Sequence, residues 1–533
     1  MAAFAKRIDE LIASGQTESA LRLICEIALG VANSAHLLRQ VWSSPVLDGY
    51  CVQIGAGTWP WSATGGDPVA RRRVYVVTEL HSLGGHARLL SDFVRLQPGP
   101  SHHVLATNLF DRDAALVVPD FIGAAVQDVR VAPGPGLLAK LHWLQKQLAE
   151  LKPAEIFLLH HWHDAVAVAG VQPAAGNCAF IHHSDYTFTL GLHVPHFAHV
   201  DLHALGFERC RRAQIAACTF WPIVIDDLGA RDASTICRGD GIATTCSSGT
   251  LNKFEGPYPF SYFDLVPSIL ERTGGRHVHL GPLDELSAET LKKGLMDRGI
   301  GIERLVHVPS VKSLWTAMAE YEVDAYISSF PVYGGRAALE VIGSGTPILS
   351  HESLLGPALS DFHLLHPDAL RWTRPDDLLA LLGSLTAAEL RSQAAKGREW
   401  YVLHNRPNCL IPLLSAPVGT GVASPGPGLQ PTNPAPGVDP PDPHFRGSRH
   451  GIVVAAQIAD RAAEREQFVA TVDALSHAVD ERDQRIVQLA GELSDKAEKL
   501  VAGEQRIAAI YASRSWRLLA PLRFLRSLFG RTD

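Results

Sequence analysis

From residue 74 onward, short apolar runs alternate with stretches in which apolar residues return every three or four positions. The runs at 74–78, 104–107, 126–131, 156–160 and 179–182 predict strands. A second series follows at 242–246, 277–280, 305–308, 325–328 and 347–350. These runs are nearly continuous in apolar residues, as in strands buried on both faces. The stretches 136–151 and 313–320 predict helices between them. Strands alternating with helices make a parallel sheet with crossovers. The two series break near residues 222–230. The expected fold is therefore α/β, with two Rossmann-like doubly wound domains at 73–225 and 226–412.

The flanks differ in texture. Residues 1–72 carry Ile8, Leu11, Ile12, Leu21, Leu23 and Ile24 at loose helical spacing, which predicts one or two helices and then irregular chain. Residues 413–450 are rich in proline and glycine and cannot bury a core, so they read as a linker. Over 451–512 the positions Phe468, Val472, Leu475, Val479, Ile486, Leu489, Leu493, Leu500, Ile507 and Ile510 step by fours and threes, with breaks at Arg482, Lys496 and Gly503. That narrow stripe on a charged helix predicts a coiled coil and, through it, a homo-oligomer. The last segment, 513–533, has five arginines against one aspartate, with Trp516, Phe524 and Phe529 among its apolar residues. It has the make-up of an amphipathic tail for an anionic membrane surface.

Composition narrows the class. Hydrophobic residues make up 46% and charged residues 19%, with a net charge of −7, so no general nucleic-acid binder is expected. Neither a leader peptide nor a membrane span is expected, because no long apolar run occurs. The eight cysteines form no Cys-x-x-Cys pair, which suits a reducing, cytoplasmic setting. No His-Glu-x-x-His occurs either, and no catalytic metal is expected.

Three segments carry candidate chemistry. The first strand runs into Gly84 and Gly85, where a helix start can meet an anion. The second series opens with a strand followed by Ser247, Ser248, Gly249 and then Lys253, groups suited to phosphate. At 324–349 a strand leads to Gly334, Gly335 and Arg336, then a helix with Glu340, then Gly343, Gly345 and Pro347. Histidines cluster near strand ends of the first series: His160, His161 and His163; His182 and His183; His193, His196, His199 and His203. A base working near pH 7 suits histidine. His183 and Asp185 are the nominated catalytic pair, with His86 in reserve.

The 324–349 stretch resembles the nucleotide-sugar site of GT-B glycosyltransferases, and its details are most similar to the O-GlcNAc-transferase-like branch. The resemblance spans about residues 73–410 and is more specific in its second half. It implies a metal-independent hexosyltransferase with a nucleoside-diphosphate sugar as co-substrate and no bound cofactor. Gly334, Gly335 and Arg336 would face the donor phosphates, Glu340 the ribose, and Ser247, Ser248 and Lys253 the diphosphate. The segment 180–203 is similar to the branch's acceptor side. Retaining families carry a glutamate eight positions before the one at 340; here that position is Val332, which points to inversion. The ending 511–525 resembles tails of bacterial enzymes that build surface polysaccharides, implying a glycan, lipid-linked or protein acceptor at the inner membrane face. Two alternatives stand beside this: a sugar-nucleotide epimerase of the same fold, and a non-catalytic coiled-coil scaffold.

Overall fold

The computed structural model describes residues 2–32, 41–59, 69–80, 85–185, 187–215, 218–239, 241–254, 258–354 and 359–418, and separate helical residues between 485 and 513. It divides into two compact units, 1–452 and 453–533.

The first unit holds two sheets. Strands β1 (Val69–Val77), β2 (Ser101–Ala106), β3 (Asp128–Val131), β4 (Pro153–Leu159), β5 (Asn177–His182), β6 (Phe197–Asp201) and β7 (Thr219–Phe220) form a seven-stranded sheet in the order β3-β2-β1-β4-β5-β6-β7. Strands β8 (Thr244–Ser248), β9 (Arg276–Leu280), β10 (Leu305–Val308), β11 (Ala325–Ile327), β12 (Ile348–His351) and β13 (Leu370–Trp372) form a six-stranded sheet in the order β10-β9-β8-β11-β12-β13. The pairings are parallel throughout. In each sheet the first strand is central and the order reverses beside it, which opens a crevice at the carboxyl ends. Burial explains the continuous apolar runs: Tyr75 and Val77 enter one core, while Val74 and Val76 enter another.

Every strand expected from the sequence is present, with ends moved by up to three residues except at β1, which starts five residues earlier, at Val69. Three more are found. β6 reads FAHVD and buries His199 and Asp201, so its inward face lacks the apolar alternation that marks a strand. β7 and β13 are too short for a period to show.

The N-terminal helices α1 (Ala2–Ala13) and α2 (Thr17–Ala32) match expectation. The irregular chain expected after them is instead helical over α3 (Pro45–Thr58). Its apolar residues lie all round the helix, so no stripe announces it. Ser44 caps it through Leu47 N–H at 3.3 Å, with Pro45 in the first turn. Asp48 of α3 accepts the Gly191 and His193 N–H groups at 2.7 and 2.8 Å, tying this helix to the loop after β5. Helices α4 (Gly85–Arg95), α5 (Leu137–Leu151) and α6 (Ala165–Gly170) flank the first sheet. Ile8, Ile24 and Ile54 pack with Leu141 and Leu144 of α5 in one core. Helix α7 (Ala204–Arg212) follows β6. In the second half, α8 (Leu314–Glu320) and α9 (Gly335–Gly343) flank β11. The last helices, α10 (Ala387–His404) and α11 (Pro407–Ser415), return to the first half. Tyr401 donates to Ile225 O at 2.7 Å, Asn405 to Ile223 O at 2.9 Å, and Arg73 to Leu414 O at 2.9 Å.

The second unit is helical at its described residues between 485 and 512. Leu489, Leu500 and Ile507 of the expected seam are exposed there. The other seam positions, the linker beyond residue 418 and the tail beyond residue 513 lie outside the described residues. Among the described residues, no helix is long and apolar enough to cross a membrane.

Two glycines test the packing in opposite directions. A Cβ on Gly343 would meet Trp315 Cζ3 at 2.2 Å, and that indole is pinned by its N–H on Gly229 O at 2.8 Å. Gly343→Ala is expected to destabilise the fold by about 1–3 kcal/mol. A Cβ on Gly30 of α2 meets nothing within 4 Å, so Gly30→Ala should gain up to about 1 kcal/mol. Thermal melting of both variants checks this; an unchanged midpoint for Gly343→Ala would contradict the packing.

Candidate functional site

The carboxyl ends of the two sheets face a common cavity of about 270 Å³. The first half supplies Gly85 and His86 at the start of α4, His183 after β5 and His203 before α7. The second supplies Asn252 and Lys253 after β8, and Val332, Tyr333, Gly335 and Arg336 around the start of α9.

His203 is the polar centre of the first wall. Its Nδ1 donates to Asp185 Oδ1 at 2.9 Å, and both side chains are buried. Its Nε2 makes no hydrogen bond with any described residue and would lie 3.8 Å from a Cβ on Gly335, which also lines the cavity. Burial pulls the His203 pKa down, but the Asp185 charge and hydrogen bond outweigh it, and the net shift is upward. Burial likewise opposes ionisation of Asp185, yet His203 holds it below the ordinary carboxylate value. The approach depends on a glycine: a Cβ on Gly206 of α7 would lie 2.4 Å from Asp185 Oδ2.

The two nominated histidines, His183 and His86, are held differently. His183 Nε2–H donates to His160 O at 3.0 Å, which leaves Nδ1 to accept from the Ser184 hydroxyl at 3.0 Å. Both its nitrogens are engaged, and burial lowers its pKa to about 4. His86 stacks on His183 with centroids 4.2 Å apart, and burial with that neighbour holds its pKa well below the ordinary value. Both are neutral walls of the cavity. The structure thus sets Asp185 against His203, while protein partners engage both ring nitrogens of His183.

On the second wall, Lys253 Nζ donates to Tyr333 O at 2.7 Å. Burial lowers its pKa to about 8, partly countered by the Asp361 charge. Asp361 itself is buried against Ser328 Oγ at 2.5 Å and against Ser350. Gly249 lets the lysine pass: at φ +156° its Cβ would meet Lys253 Cδ at 2.8 Å. Gly334 caps α9 without a side chain, leaving the first-turn N–H groups open to an anion. A Cβ there would crowd Ala337 at 3.2 Å and lie 3.5 Å from Lys253 Nζ. Arg336 borders the cavity but pairs with Asp92 of α4 at 2.8 Å, bridging the halves.

Three expected donor contacts lie elsewhere. Ser247 donates to Ile327 O at 2.9 Å and Ser248 bonds the Tyr326 hydroxyl at 2.7 Å, so both hydroxyls tie β8 to β11. Glu340 accepts the Trp315 N–H at 3.1 Å in the first turn of α8, outside the cavity lining. Gly84 lies outside the described residues. His203, Tyr333 and Asp361 were not singled out for roles from the sequence. Only His203 had a signal, its place in a histidine cluster near a strand end.

NMR titration of histidine-labelled protein checks the electrostatics. His203 should titrate above the ordinary value of about 6.5 and fall below its wild-type position in Asp185→Asn and Gly206→Ala. His183 should stay neutral down to about pH 4. A His203 that titrates alike in all three proteins would refute the pairing.

No protein-family model matches the sequence, and no curated protein matches it. By structure the chain is similar to HepE of Anabaena in complex with UDP, at 12% identity, over 64% of this chain and 98% of that one, with a TM-score of 0.51. The lipopolysaccharide outer core galactosyltransferase WaaB in its apo form matches at 13% identity over 63% and 95% of the two chains, with a TM-score of 0.49. A mutant O-GlcNAc transferase of Thermobaculum terrenum matches at 14% identity over 77% and 82%, with a TM-score of 0.43. With the two strand orders and the shared cavity, the likeness to HepE identifies the architecture as the GT-B fold of glycosyltransferases.

Proposed function

We propose that the chain transfers a sugar from a nucleoside-diphosphate sugar to a hydroxyl acceptor, with inversion at the anomeric carbon. One observation carries this reading: the open Nε2 of an aspartate-held histidine borders the same cavity as a half-buried ammonium and a bare helix start. A base for the acceptor and a cradle for a leaving diphosphate are what such a transfer needs. His203 Nε2 takes the acceptor proton. The acceptor oxygen bonds to the anomeric carbon as that carbon's bond to the diphosphate oxygen breaks. The diphosphate leaves with the electron pair and meets Lys253 and the first-turn N–H groups of α9. Asp185 stabilises the imidazolium that forms. Ser247, Ser248 and Glu340 support this frame from outside the cavity.

A retaining route by double displacement needs a carboxylate nucleophile. Val332 borders the cavity, and none of its described lining residues is aspartate or glutamate. The same feature disfavours epimerase chemistry, and the half-buried lysine in the cavity wall disfavours a passive scaffold. The narrower reading rests on the sequence: a glycan, lipid-linked or protein acceptor in bacterial surface glycan synthesis, an oligomer through 451–512, and a basic tail on the inner membrane face.

Donor binding is tested by melting with a panel of nucleoside diphosphates. At 100 times its dissociation constant, one of them should add about 2.7 kcal/mol, and Lys253→Ala should lose most of that. Affinity should hold below pH 8 and weaken above it as the ammonium deprotonates, with proton uptake on binding near that pH in calorimetry. No stabilisation by any diphosphate would sink the transferase reading.

His203→Ala should lower kcat by about 10²–10⁴-fold while keeping the diphosphate shift. Because the base must be neutral and its pKa is raised, the acid limb of kcat should fall above about pH 6.5. Asp185→Asn should move that limb to lower pH and reduce kcat. Transfer within tenfold of wild type in His203→Ala would remove the histidine from the mechanism.

A further inference from the structure

We infer that His182, His199, Asp201 and Cys210, with Cys218 beside them, form a structural site for one divalent metal ion of the zinc type. The site is separate from the cavity and does not rest on the transferase reading.

The fold brings these residues together from four elements. His199 and Asp201 are two apart on β6 and share a face of the sheet. His182 ends β5 and is the register partner of Asp201. Cys210 comes from α7, which covers that face, and Cys218 directly precedes β7. The ligand atoms of His182, His199, Asp201 and Cys210 all lie within 4.8 Å of one another. His182 Nδ1 is 2.8 Å from Asp201 Oδ1, and His199 Nε2 is 3.1 Å from Asp201 Oδ2. Cys210 Sγ is 3.4 Å from Asp201 Oδ1 and 3.7 Å from His182 Nδ1. Cys218 Sγ is 3.1 Å from Asp201 Oδ2. Bonds of about 2.0–2.3 Å in a tetrahedron give ligand edges of about 3.3–3.8 Å. The side chains are therefore close to a coordinating arrangement.

Charge points the same way. Asp201 is fully buried, with two imidazoles and two thiols around its carboxylate. No lysine or arginine forms an ion pair with it among the described residues, although the half-buried Arg209 guanidinium of α7 acts on it electrostatically. A buried carboxylate without a cation is costly. A divalent ion bound by this carboxylate and one thiolate would close the site at zero net charge. Two imidazole nitrogens, a sulfur and a carboxylate oxygen are a donor set that zinc accepts. Both rings are oriented only through the nitrogen that faces Asp201, since His182 Nε2 and His199 Nδ1 have no partner. On binding, Cys210 releases its proton to solvent and each imidazole carries its proton on that outer nitrogen.

The ion would clamp β5, β6 and α7, the elements whose ends lead into His183, Asp185 and His203. The cysteine partners were hidden from sequence reasoning because they come from outside the histidine cluster, at no zinc-finger spacing. The proposal departs from the expectation of no metal in role as well, since it is structural and takes no part in proton transfer.

The test uses the full chain, expressed with added zinc and purified under reducing, metal-free conditions. About one zinc per chain should remain, and cobalt substitution should give a thiolate charge-transfer band with intense tetrahedral d–d absorption. Cys210→Ser should lose that band and most of the zinc, while His203→Ala keeps both. Zinc retained in full with an unchanged cobalt spectrum in Cys210→Ser would overturn the assignment. So would wild-type protein that carries less than about a tenth of an equivalent and gives no cobalt spectrum. If Cys210→Ser does not fold, the wild-type cobalt spectrum decides alone.

Discussion

Asp201 is fully buried in the first sheet, and four side chains close on its carboxylate. Their convergence fixes the edge of the sheet on which the candidate chemistry hangs. His182 lies three residues before Asp185, and Asp201 lies two residues before His203. The two members of the proposed catalytic pair therefore leave the sheet from adjacent strands whose ends are already locked in register. Cys210 holds α7 to the same point, and α7 carries the glycine that admits the Asp185 carboxylate. An error at Asp201 would be felt at His203 without any contact between them.

The second half answers with a different device. Lys253 is held against a backbone carbonyl beside the bare start of α9, where burial lowers its pKa to about 8. An ammonium in such a place is under-compensated, and an incoming dianion relieves it. Gly249, Gly334 and Gly335 keep side chains out of that space. The Arg336–Asp92 pair sets one half against the other across the cavity mouth, and Tyr401, Asn405 and Arg73 do so behind it. Facing walls with opposite tasks thus come from halves of the same topology.

Much of this was legible in the sequence because strands buried on both faces must be apolar throughout. The central residues of β1, β4 and β5 follow that rule, as does β11 (AYI) in the second half, whereas β8 reads TTCSS and is buried all the same. β6 breaks it, since its inward positions are His199 and Asp201, and with the strand went the position of His203 at its end. α3 escaped notice for the converse reason: it is apolar on all sides and shows no stripe. Glycines were informative where backbone or side chains approach closely, as at Gly249 and Gly334. Side-chain direction was not legible. Ser247, Ser248 and Glu340 have suitable chemistry and suitable neighbours, but tertiary contacts turn them to β11 and α8. His183 looked available until the carbonyl of His160 and the hydroxyl of Ser184 were seen to occupy its ring.

Two buried carboxylates of the first half each hold histidine, and their surroundings separate their roles. Asp185 meets one ring, and the far nitrogen of that ring opens on a cavity, so the pair can gain and lose a proton as substrate comes and goes. The net upward shift of His203 reflects an undivided carboxylate. Asp201 divides its two oxygens among two rings and two thiols, and burial lowers the His182 pKa in spite of the carboxylate. With no opening on the cavity and four donors in place, that cluster has no proton chemistry to perform. The number of donors and the access to the cavity, not the residue types, are what would suit one pair to act as the proposed base and the other as the proposed brace.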